Sequence, residues 1–285
     1  MIISRTPSNS ALWVVATPLG NPGDISGRAL EVLSECDLVL AEDTRRAGML
    51  FKNLGIRARE FLSLHEHNEA GRIHQVVSRI MAGGNCALIS DAGTPLMADP
   101  GYRLVRYCRE SGIDVIPVPG PCSIVAALAA SGLPPYPFSF LGFPPRKAYE
   151  IEKTFKTWQE IPATLVFFER KNRITTTLQI ALQVLGPREF CLARELTKKY
   201  EEFIIGRLDS IELDADRLLG EITVIIAPQD PGGSAEDTQS VELLISECLK
   251  QGLRPREVVQ EVRKHARGWS GKEIYALMHT MRRDA

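Results

Sequence analysis

The chain has 285 residues, of which 44% are apolar and 24% charged, and its formal net charge is −1. This length predicts two domains with a small appendage, and the composition excludes a disordered chain because enough apolar residues are present to fill a core. The six scattered cysteines and the absence of a long apolar run favour a cytoplasmic protein with buried thiols, without disulfides, a zinc site, a signal peptide or a membrane span.

Strand-like and helix-like segments alternate along residues 1–133. Short apolar runs predict buried strands at 12–16, 37–41, 86–90 and 113–118. Apolar residues at helical spacing predict a first helix capped by Asp24 or Ser26, and further helices at about 45–55, 70–81, 102–110 and 122–130. This alternation predicts an α/β domain with a mainly parallel sheet covered by helices.

The pattern changes at Pro134 and Pro135, where a second α/β domain over residues 134–228 is predicted. Its strands are expected at 138–143, 163–168, 190–193, 202–205 and 222–227, with helices near 148–158 and 174–184. Residues 229–285 are predicted to form a polar linker, 229–237, and a helical module with helices at 241–250, 255–266 and 271–281.

The helical module is basic. From Lys250 to Ala285 there are nine lysines and arginines against four acidic residues, a balance of +5. Such a balance is typical of a polyanion-binding surface, and it is equally typical of a solvated helical pair, so charge alone leaves both interpretations open.

Three loops rich in glycine and proline follow predicted strands of the first domain. They read "TPLGNPGD" after the first strand, "SDAGTPLMADPG" after the third and "PVPGPCS" around the end of the fourth. Ligands of parallel sheets bind outside the carboxyl ends of the strands, and glycine allows the backbone to approach them closely. One such loop would be a tight turn, whereas three together predict a rigid cleft for a neutral or cationic ligand.

Dinucleotide and nucleoside triphosphate sites are excluded by the same loops. The first loop contains neither G-x-G-x-x-G nor G-x-x-x-x-G-K-S/T, and none of the three contains a lysine that would bind phosphate.

Five ordered motifs identify a resemblance to a known family. They are "VATPLGNPGDISGRALEVLSECDLVLAEDTRRAG", "SLHEHNE", "SDAGTPLMADPGYRLV", "PVPGPCSIVAALAASGLP" and "FLGFPPRK". Together they resemble the bacterial ribosomal RNA small subunit methyltransferase I family of the tetrapyrrole-methylase superfamily. The resemblance implies two α/β domains of the class III methyltransferase type with S-adenosyl-L-methionine between them, and a homodimer. It also implies 2′-O-methylation of a cytidine ribose in the decoding region of 16S rRNA in the 30S subunit.

The resemblance also implies the residues that bind the cofactor. The positions that match the family's motifs are Thr17, Pro18, Leu19, Gly20, Ser90, Asp91, Ala92, Gly93, Thr94, Pro95, Gly120, Ser123, Phe168 and Thr223. Asp24 matches the aspartate of the superfamily's P-G-D motif. The family usually has E-S-x-H/N-R after a strand of the second domain, and this chain has Arg170 in place of the small residue, an extra cation for a phosphate contact.

Acidic and basic residues beside these motifs are candidates for catalysis and RNA binding. Candidate bases for the hydroxyl proton are Asp24, Glu42 and Asp43, although Asp43 is also placed to cap a helix. Candidate RNA contacts are Arg45, Arg46, His65, Asn68, Arg146, Lys147 and Arg173. The two histidines of "HEHNE" lack a third ligand, so no metal is expected. Arg194 and Glu195 are predicted to form an ion pair.

Two other functions are compatible with the same features. A methyltransferase acting on a corrinoid or porphyrin precursor would share the fold and cofactor, but the first loop lacks the G-x-G-P-G-D form of those enzymes. A non-catalytic rRNA- or ribosome-binding factor would use the basic tail alone, whereas the three loops keep their Asp and Gly positions.

Overall fold

The structure is a computed structural model that describes residues 10–210, 220–229, 238–266 and 269–281. Lys264 is described by its backbone alone, and Arg267, Arg282, Arg283 and Asp284 of the basic tail lie outside the described residues.

The first sheet has five parallel strands in the order β3-β2-β4-β1-β5. The strands are β1 (Leu12–Val15), β2 (Leu38–Ala41), β3 (Phe61–Ser63), β4 (Cys86–Leu88) and β5 (Val115–Val118). Helices connect and follow them: α1 (Gly27–Glu35), α2 (Thr44–Asn53), α3 (Glu69–Met81), α4 (Tyr102–Glu110) and α5 (Ser123–Ala130). Both faces of this sheet are covered by clusters of buried apolar side chains. Because its central strands are buried on both faces, their residues are apolar throughout.

Local chemistry fixes where these helices begin and end. The Ser26 hydroxyl accepts a hydrogen bond from the Ala29 amide (3.1 Å) at the start of α1. Asp43 does the same for α2 through the Arg45 and Arg46 amides. Gly55, with a φ of +70°, follows the end of α2 in the left-handed region that favours glycine. The cap of α1 is therefore Ser26, and Asp24 instead ends a 3-10 turn, Pro22–Asp24.

The second sheet is mixed, in the order β6-β7-β10-β8-β9. Its strands are β6 (Phe138–Phe140), β7 (Thr164–Arg170), β8 (Glu189–Arg194), β9 (Glu202–Arg207) and β10 (Glu221–Ile226). β6 pairs with β7 in parallel and the other pairs are antiparallel. Helices α6 (Ala148–Trp158) and α7 (Ile174–Leu185) pack on one face, and α5 packs near β10.

Three helices follow the second sheet: α8 (Thr238–Lys250), α9 (Pro255–His265) and α10 (Gly271–Met281). They enclose an apolar cluster of their own, which includes Val241, Ile245, Val258 and Ile274. None of the helices in the described ranges is long and apolar enough to cross a membrane.

The predicted α/β elements are confirmed with small shifts at their ends, and one strand was missed. β3 has three residues, Phe61–Ser63, too few to show a period in the sequence. The loop predicted to follow the third strand therefore follows β4. Residues 230–237 of the predicted linker lie outside the described residues.

Candidate functional site

The loops after β1, β4 and β5 are joined by hydrogen bonds at the carboxyl end of the first sheet. Thr17 and Gly93 exchange backbone hydrogen bonds of 2.8 and 3.0 Å, and the buried Thr17 hydroxyl donates to the Ser90 carbonyl (3.2 Å). The Thr94 hydroxyl donates to the Pro121 carbonyl (3.0 Å), which joins the second loop to the third. The three loops therefore form one connected structure, as a rigid ligand site requires.

Close packing of the loops explains two of their glycines. Gly93 has a φ of +79°, and a Cβ there would lie 3.0 Å from Leu19 Cδ2. A Cβ at Gly120 would lie 3.0 Å from Ala16 Cβ. Both contacts are closer than ordinary van der Waals distances, so a side chain would separate the loops.

A cleft of about 720 Å³ lies between this loop cluster and the second sheet. Eight of the residues predicted to bind the cofactor line it: Leu19, Asp91, Ala92, Gly93, Thr94, Ser123, Phe168 and Thr223. The other six are in the same loops but outside the lining: Thr17, Pro18, Gly20, Ser90, Pro95 and Gly120. Thr17 and Ser90 are buried and hold the loops through the hydrogen bonds above.

Aromatic side chains form the wall contributed by the second sheet. Phe168 contacts Phe140 and Phe143, with ring centroids 5.0 and 5.4 Å apart. The Arg170 guanidinium lies 6.0 Å from the centre of the Phe143 ring. Phe143, Phe168 and Arg170 all line the cleft, so this wall combines flat apolar surfaces with one cation.

The turn between β8 and β9 reaches across to the first loop. The Asn21 amide donates to the Thr197 hydroxyl (3.1 Å), and the Lys198 side chain packs against Gly20 so closely that a Cβ there would overlap Lys198 Cγ. Glu195 pairs with Lys198 (2.9 Å), and both line the cleft. The predicted Arg194–Glu195 pair is wrong, because Arg194 pairs with Glu202 across the antiparallel strands.

Non-glycine residues with left-handed backbone cluster at this cleft. They are Leu96, Ala98, Glu195 and Thr197, with φ between 50° and 72°. Ala98 and Glu195 line the cleft and the other two are within two residues of them. Such conformations cost about 1–3 kcal/mol each, and they are concentrated at functional sites in proteins.

Acidic side chains outnumber cations in the lining. Glu42, Asp91, Asp99, Glu195 and Glu221 line the cleft with Arg46, Arg170 and Lys198. Two cations are paired, because Arg46 contacts Asp91 (2.8 Å) and Lys198 contacts Glu195. The excess of carboxylates suits a positively charged ligand.

Asp99 was not identified from the sequence, although its loop was. The pKa of Asp99 is raised from 3.8 to about 7, mainly by burial and also by the nearby carboxylates of Glu42, Asp91 and Glu221, while a hydrogen bond with Ser90 opposes the rise. The sequence contains one weak sign of this, an aspartate between Ala98 and Pro100 inside a glycine- and proline-rich loop. The other acids come from distant elements, which only the fold brings together.

The structure separates the three predicted catalytic acids. Glu42 lines the cleft and is exposed. Asp43 is outside the lining, and its carboxylate caps α2 and contacts the Arg45 side chain (3.1 Å), which holds the pKa of Asp43 below its ordinary value. Asp24 is exposed in its 3-10 turn and also outside the lining.

The predicted RNA contacts near the first sheet also differ in their surroundings. Arg46 lines the cleft, while Arg45 is exposed and paired with Asp43. The Asn68 side chain accepts from the His65 amide (2.8 Å) and donates to the Ser63 carbonyl (3.1 Å), so it holds its own loop. His65 is half-buried, and its Nδ1 has no hydrogen-bond partner within the described structure.

A second cavity at the end of β7 brings together three more of the predicted RNA contacts, Arg146, Lys147 and Arg173. Arg146 and Arg173 line that cavity, while Lys147 is exposed and 3.6 Å from Glu150. The Arg173 guanidinium contacts Glu169 Oε2 (3.4 Å) and donates to the Pro144 and Pro145 carbonyls, so it braces the loop after β6.

The cysteines are unpaired thiols that lie mostly in the core. All six cysteines are free thiols, five of them buried, and Cys122 lines the cleft. Burial raises the pKa of Cys36 and Cys86 to about 12, as expected for inert core thiols. The described ranges contain no cluster of three or more His, Cys, Asp or Glu that would hold a metal ion.

Sequence comparison identifies close relatives. The profile of the tetrapyrrole (corrin/porphyrin) methylases matches residues 11–212. A protein of Escherichia coli O157:H7 named ribosomal RNA small subunit methyltransferase I is 41% identical over 272 residues, which cover 92% of this chain and 95% of the relative. The protein of that name from Vibrio cholerae serotype O1 is 42% identical over 278 residues, covering 93% and 96%.

Solved structures share the fold at low sequence identity. The methyltransferase CobJ superposes with a TM-score of 0.61 at 17% identity, over 78% of this chain and 95% of its own. The cobalt precorrin-4 methyltransferase CbiF gives a TM-score of 0.55 at 17% identity, over 80% and 98%. These similarities concern the architecture of the two sheets.

Proposed function

This chain belongs to the ribosomal RNA small subunit methyltransferase I family of the tetrapyrrole methylases, and from that premise we propose that it methylates small-subunit rRNA. The methyl donor is S-adenosyl-L-methionine, and the acceptor is the ribose 2′-oxygen of a cytidine in the decoding region of 16S rRNA. The observation that carries the proposal is the cleft, because loops of one sheet and strand ends of the other meet there around acidic and aromatic side chains.

The residues of the cleft suit this cofactor. S-adenosylmethionine carries a sulfonium and an ammonium against one carboxylate, and the lining has five carboxylates against three cations. Phe168, Thr223 and Ala193 offer a surface for its adenine, and the loops containing Gly93 and Gly120 offer backbone groups at close range. The positions outside the lining are proposed to support the site by holding these loops.

When bound, the cofactor supplies a methyl group attached to a positively charged sulfur. The chain's own residues then have to hold the ribose hydroxyl in line with that methyl group and exclude water. We assign Glu42 to orienting the hydroxyl or accepting its proton, because it lines the cleft and is exposed. Asp99 lies in the same acidic group and is a second candidate, since its raised pKa matches that of a base near neutral pH.

Cations around the cleft and in the α8–α10 module provide the RNA-binding surface of the proposal. Arg46, Arg146 and Arg170 line cavities at the site, and Arg256 and Arg263 are exposed on α9. A shape-dependent contact by the module favours the assembled 30S subunit as partner. The division into 1–133, 134–228 and 229–285 and the cytoplasmic location remain predictions.

A homodimer is part of the proposal. It is supported by three exposed apolar side chains in α5 and the segment that follows it, Val125, Tyr136 and Phe138, which are between 43% and 81% exposed. Exposed apolar side chains are typical of subunit contacts when they join into one patch, which is what the proposal expects of these three.

The experiment uses the purified chain, labelled S-adenosylmethionine and small subunits from cells that lack this gene. We expect label in 16S rRNA at a single cytidine whose 3′ phosphodiester resists alkaline cleavage, because a 2′-O-methyl group blocks the attacking hydroxyl. Saturable cofactor binding without label in rRNA would contradict the rRNA function. Transfer to a corrinoid or porphyrin precursor would then identify the alternative substrate class, and no transfer to either would indicate a binding factor.

A further inference from the structure

A second cavity of about 620 Å³ lies beside the cleft, between the loop after β6 and the start of α7. Phe143 and Arg170 line both cavities, so they form a shared wall. The volume of the second cavity is within the range that holds small ligands. A linear polymer with one monomer bound in the cleft can therefore place the neighbouring monomer in the second cavity.

The chemistry of the second cavity favours an anion attached to a flat ring. Arg146, Arg170 and Arg173 line it, and none of its described lining residues is acidic. Neither Arg146 nor Arg170 forms an ion pair with a described residue, so both guanidinium groups are available for a ligand. Phe143 and Pro144 add apolar surface for stacking.

A buried carboxylate, that of Glu169, holds the wall of this cavity in place. Glu169 is fully buried, accepts from the Thr177 hydroxyl (2.7 Å) and lies 3.4 Å from Arg173. Arg173 in turn donates to the carbonyls of Pro144 and Pro145. The prolines that form one wall are thereby tied to the strand that carries Arg170, so the cavity is preorganised.

We propose that this second cavity binds the RNA nucleotide next to the methyl acceptor, with its base on Phe143 and its phosphate on Arg146 and Arg170. The proposal rests on the rRNA function above and adds to it a subsite that fixes the register of the strand. Arg170 lines both cavities, so its guanidinium can contact the phosphate that links the nucleotide in the cleft to its neighbour.

The test compares the full-length wild type with the double variant Arg146→Ala/Arg170→Ser. Binding of fluorescein-labelled pentacytidylate is followed by anisotropy at several KCl concentrations, and KM is measured for small subunits. We expect about tenfold weaker binding and a salt slope lower by about 0.7, since one phosphate contact on a single strand contributes about 0.7 to that slope. KM for the subunits should rise in the same proportion, while a thermal denaturation midpoint equal to that of the wild type shows that the variant is folded.

Two further variants separate stacking and general charge from this contact. Phe143→Leu should weaken pentacytidylate binding about fivefold or more with an unchanged salt slope, because only stacking is lost. Lys52→Ala/Arg57→Ala removes two exposed cations at the opposite end of the first sheet and should retain the wild-type affinity.

The outcomes distinguish the subsite from the function. If the double variant keeps the wild-type affinity, salt slope and KM while the wild type methylates rRNA, the subsite is overturned and the function stands. If the wild type transfers no methyl group to rRNA but loses oligonucleotide binding in the double variant, the function falls and the nucleotide subsite stands.

Discussion

Asp99 connects the charge of the cleft to pH. Its pKa of about 7 means that the carboxyl is mostly neutral at pH 6 and mostly ionised at pH 8. A cationic ligand binds the ionised form more tightly, and binding in turn favours ionisation.

We therefore predict that the affinity for S-adenosylmethionine rises about tenfold between pH 6 and pH 8, the change in the ionised fraction around a pKa of 7. Asp99→Asn should remove most of this dependence, which calorimetric titration at several pH values would measure. Glu152→Gln on the exposed face of α6 is the matched control and should keep the wild-type profile. A pH profile of Asp99→Asn that equals the wild type would show that another group titrates.

The same ionisation has the opposite effect on folding stability. Because the pKa of Asp99 is raised in the folded state, its contribution to stability is present below its ordinary value of 3.8 and is lost as the pH rises through about 7. The stability of Asp99→Asn relative to wild type should therefore increase from pH 4 to pH 8. Urea denaturation at both pH values gives the sign directly.

Gly101 shows how tightly the second loop is packed, and substitution should reveal the cost. Gly101 has a φ of +120°, and a Cβ there would lie 2.6 Å from Leu88 Cδ2, whereas Gly83, with a φ of +96°, faces open space. We predict that Gly101→Ala lowers the free energy of unfolding by about 2–4 kcal/mol, and Gly83→Ala by about 1–2 kcal/mol because only backbone strain is added. Equal losses in urea denaturation would mean that Leu88 moves aside freely.

At the scale of elements, Asp43 distinguishes helix capping from catalysis. Its carboxylate accepts the Arg45 amide hydrogen (2.9 Å) at the start of α2, and it does not line the cleft. Asp43→Asn keeps an oxygen that can cap the helix, while Asp43→Ala does not.

We predict that Asp43→Asn retains both stability and methyl-transfer rate, and that Asp43→Ala loses about 1 kcal/mol of stability. Thermal denaturation and single-turnover transfer to small subunits would measure the two effects. Glu42→Gln is the comparison within the cleft and should lose rate without losing stability. A large rate loss in Asp43→Asn would restore Asp43 as the base.

Helices and strands were predicted well where the apolar periodicity extended over enough residues or where glycines and prolines marked the ends of an element. Helices such as Tyr102–Glu110 and Gly271–Met281 were predicted to the residue because apolar spacing and glycines define them. The strand Phe61–Ser63 was missed because three residues carry no period. The loops of the site were found for the same reason as the helices, since their glycines and prolines are visible in the sequence.

Partners of charged side chains were predicted less well. Arg194 is adjacent to Glu195 in sequence but forms its ion pair with Glu202. The antiparallel pairing of β8 with β9 places Arg194 and Glu202 side by side. Arg173 looks like an exposed cation but is held by the buried Glu169. Such pairings depend on strand register and burial, neither of which a single sequence displays.

At the scale of the whole molecule, one part of the proposed RNA-binding surface, the helices α8–α10, contributes no described residue to the lining of the cofactor cleft. The helices α8–α10 have their own apolar cluster, and Arg256 and Arg263, seven residues apart on α9, are both exposed. This separation predicts that charge on the module changes RNA binding alone.

We predict that Arg256→Glu/Arg263→Glu raises KM for small subunits by about tenfold and lowers the salt dependence of binding, because two phosphate contacts become repulsive. Affinity for S-adenosylmethionine should be unchanged. Lys52→Glu/Arg57→Glu changes the net charge equally at the far end of the first sheet and should leave KM as in the wild type. Equal increases in both double variants would point to net charge and not to the module.

The hydrogen bond between Asn21 and Thr197 has a consequence for the order of events during synthesis. It joins residues 176 positions apart, and the Lys198 side chain beside it packs on Gly20. While the chain is still emerging from a ribosome, the first loop is made early and its partner only after most of the chain. Newly made chains therefore lack the closing turn of the cleft until synthesis has passed Thr197, so an enzyme for ribosomal RNA completes its site only after well over half of its own chain has been made.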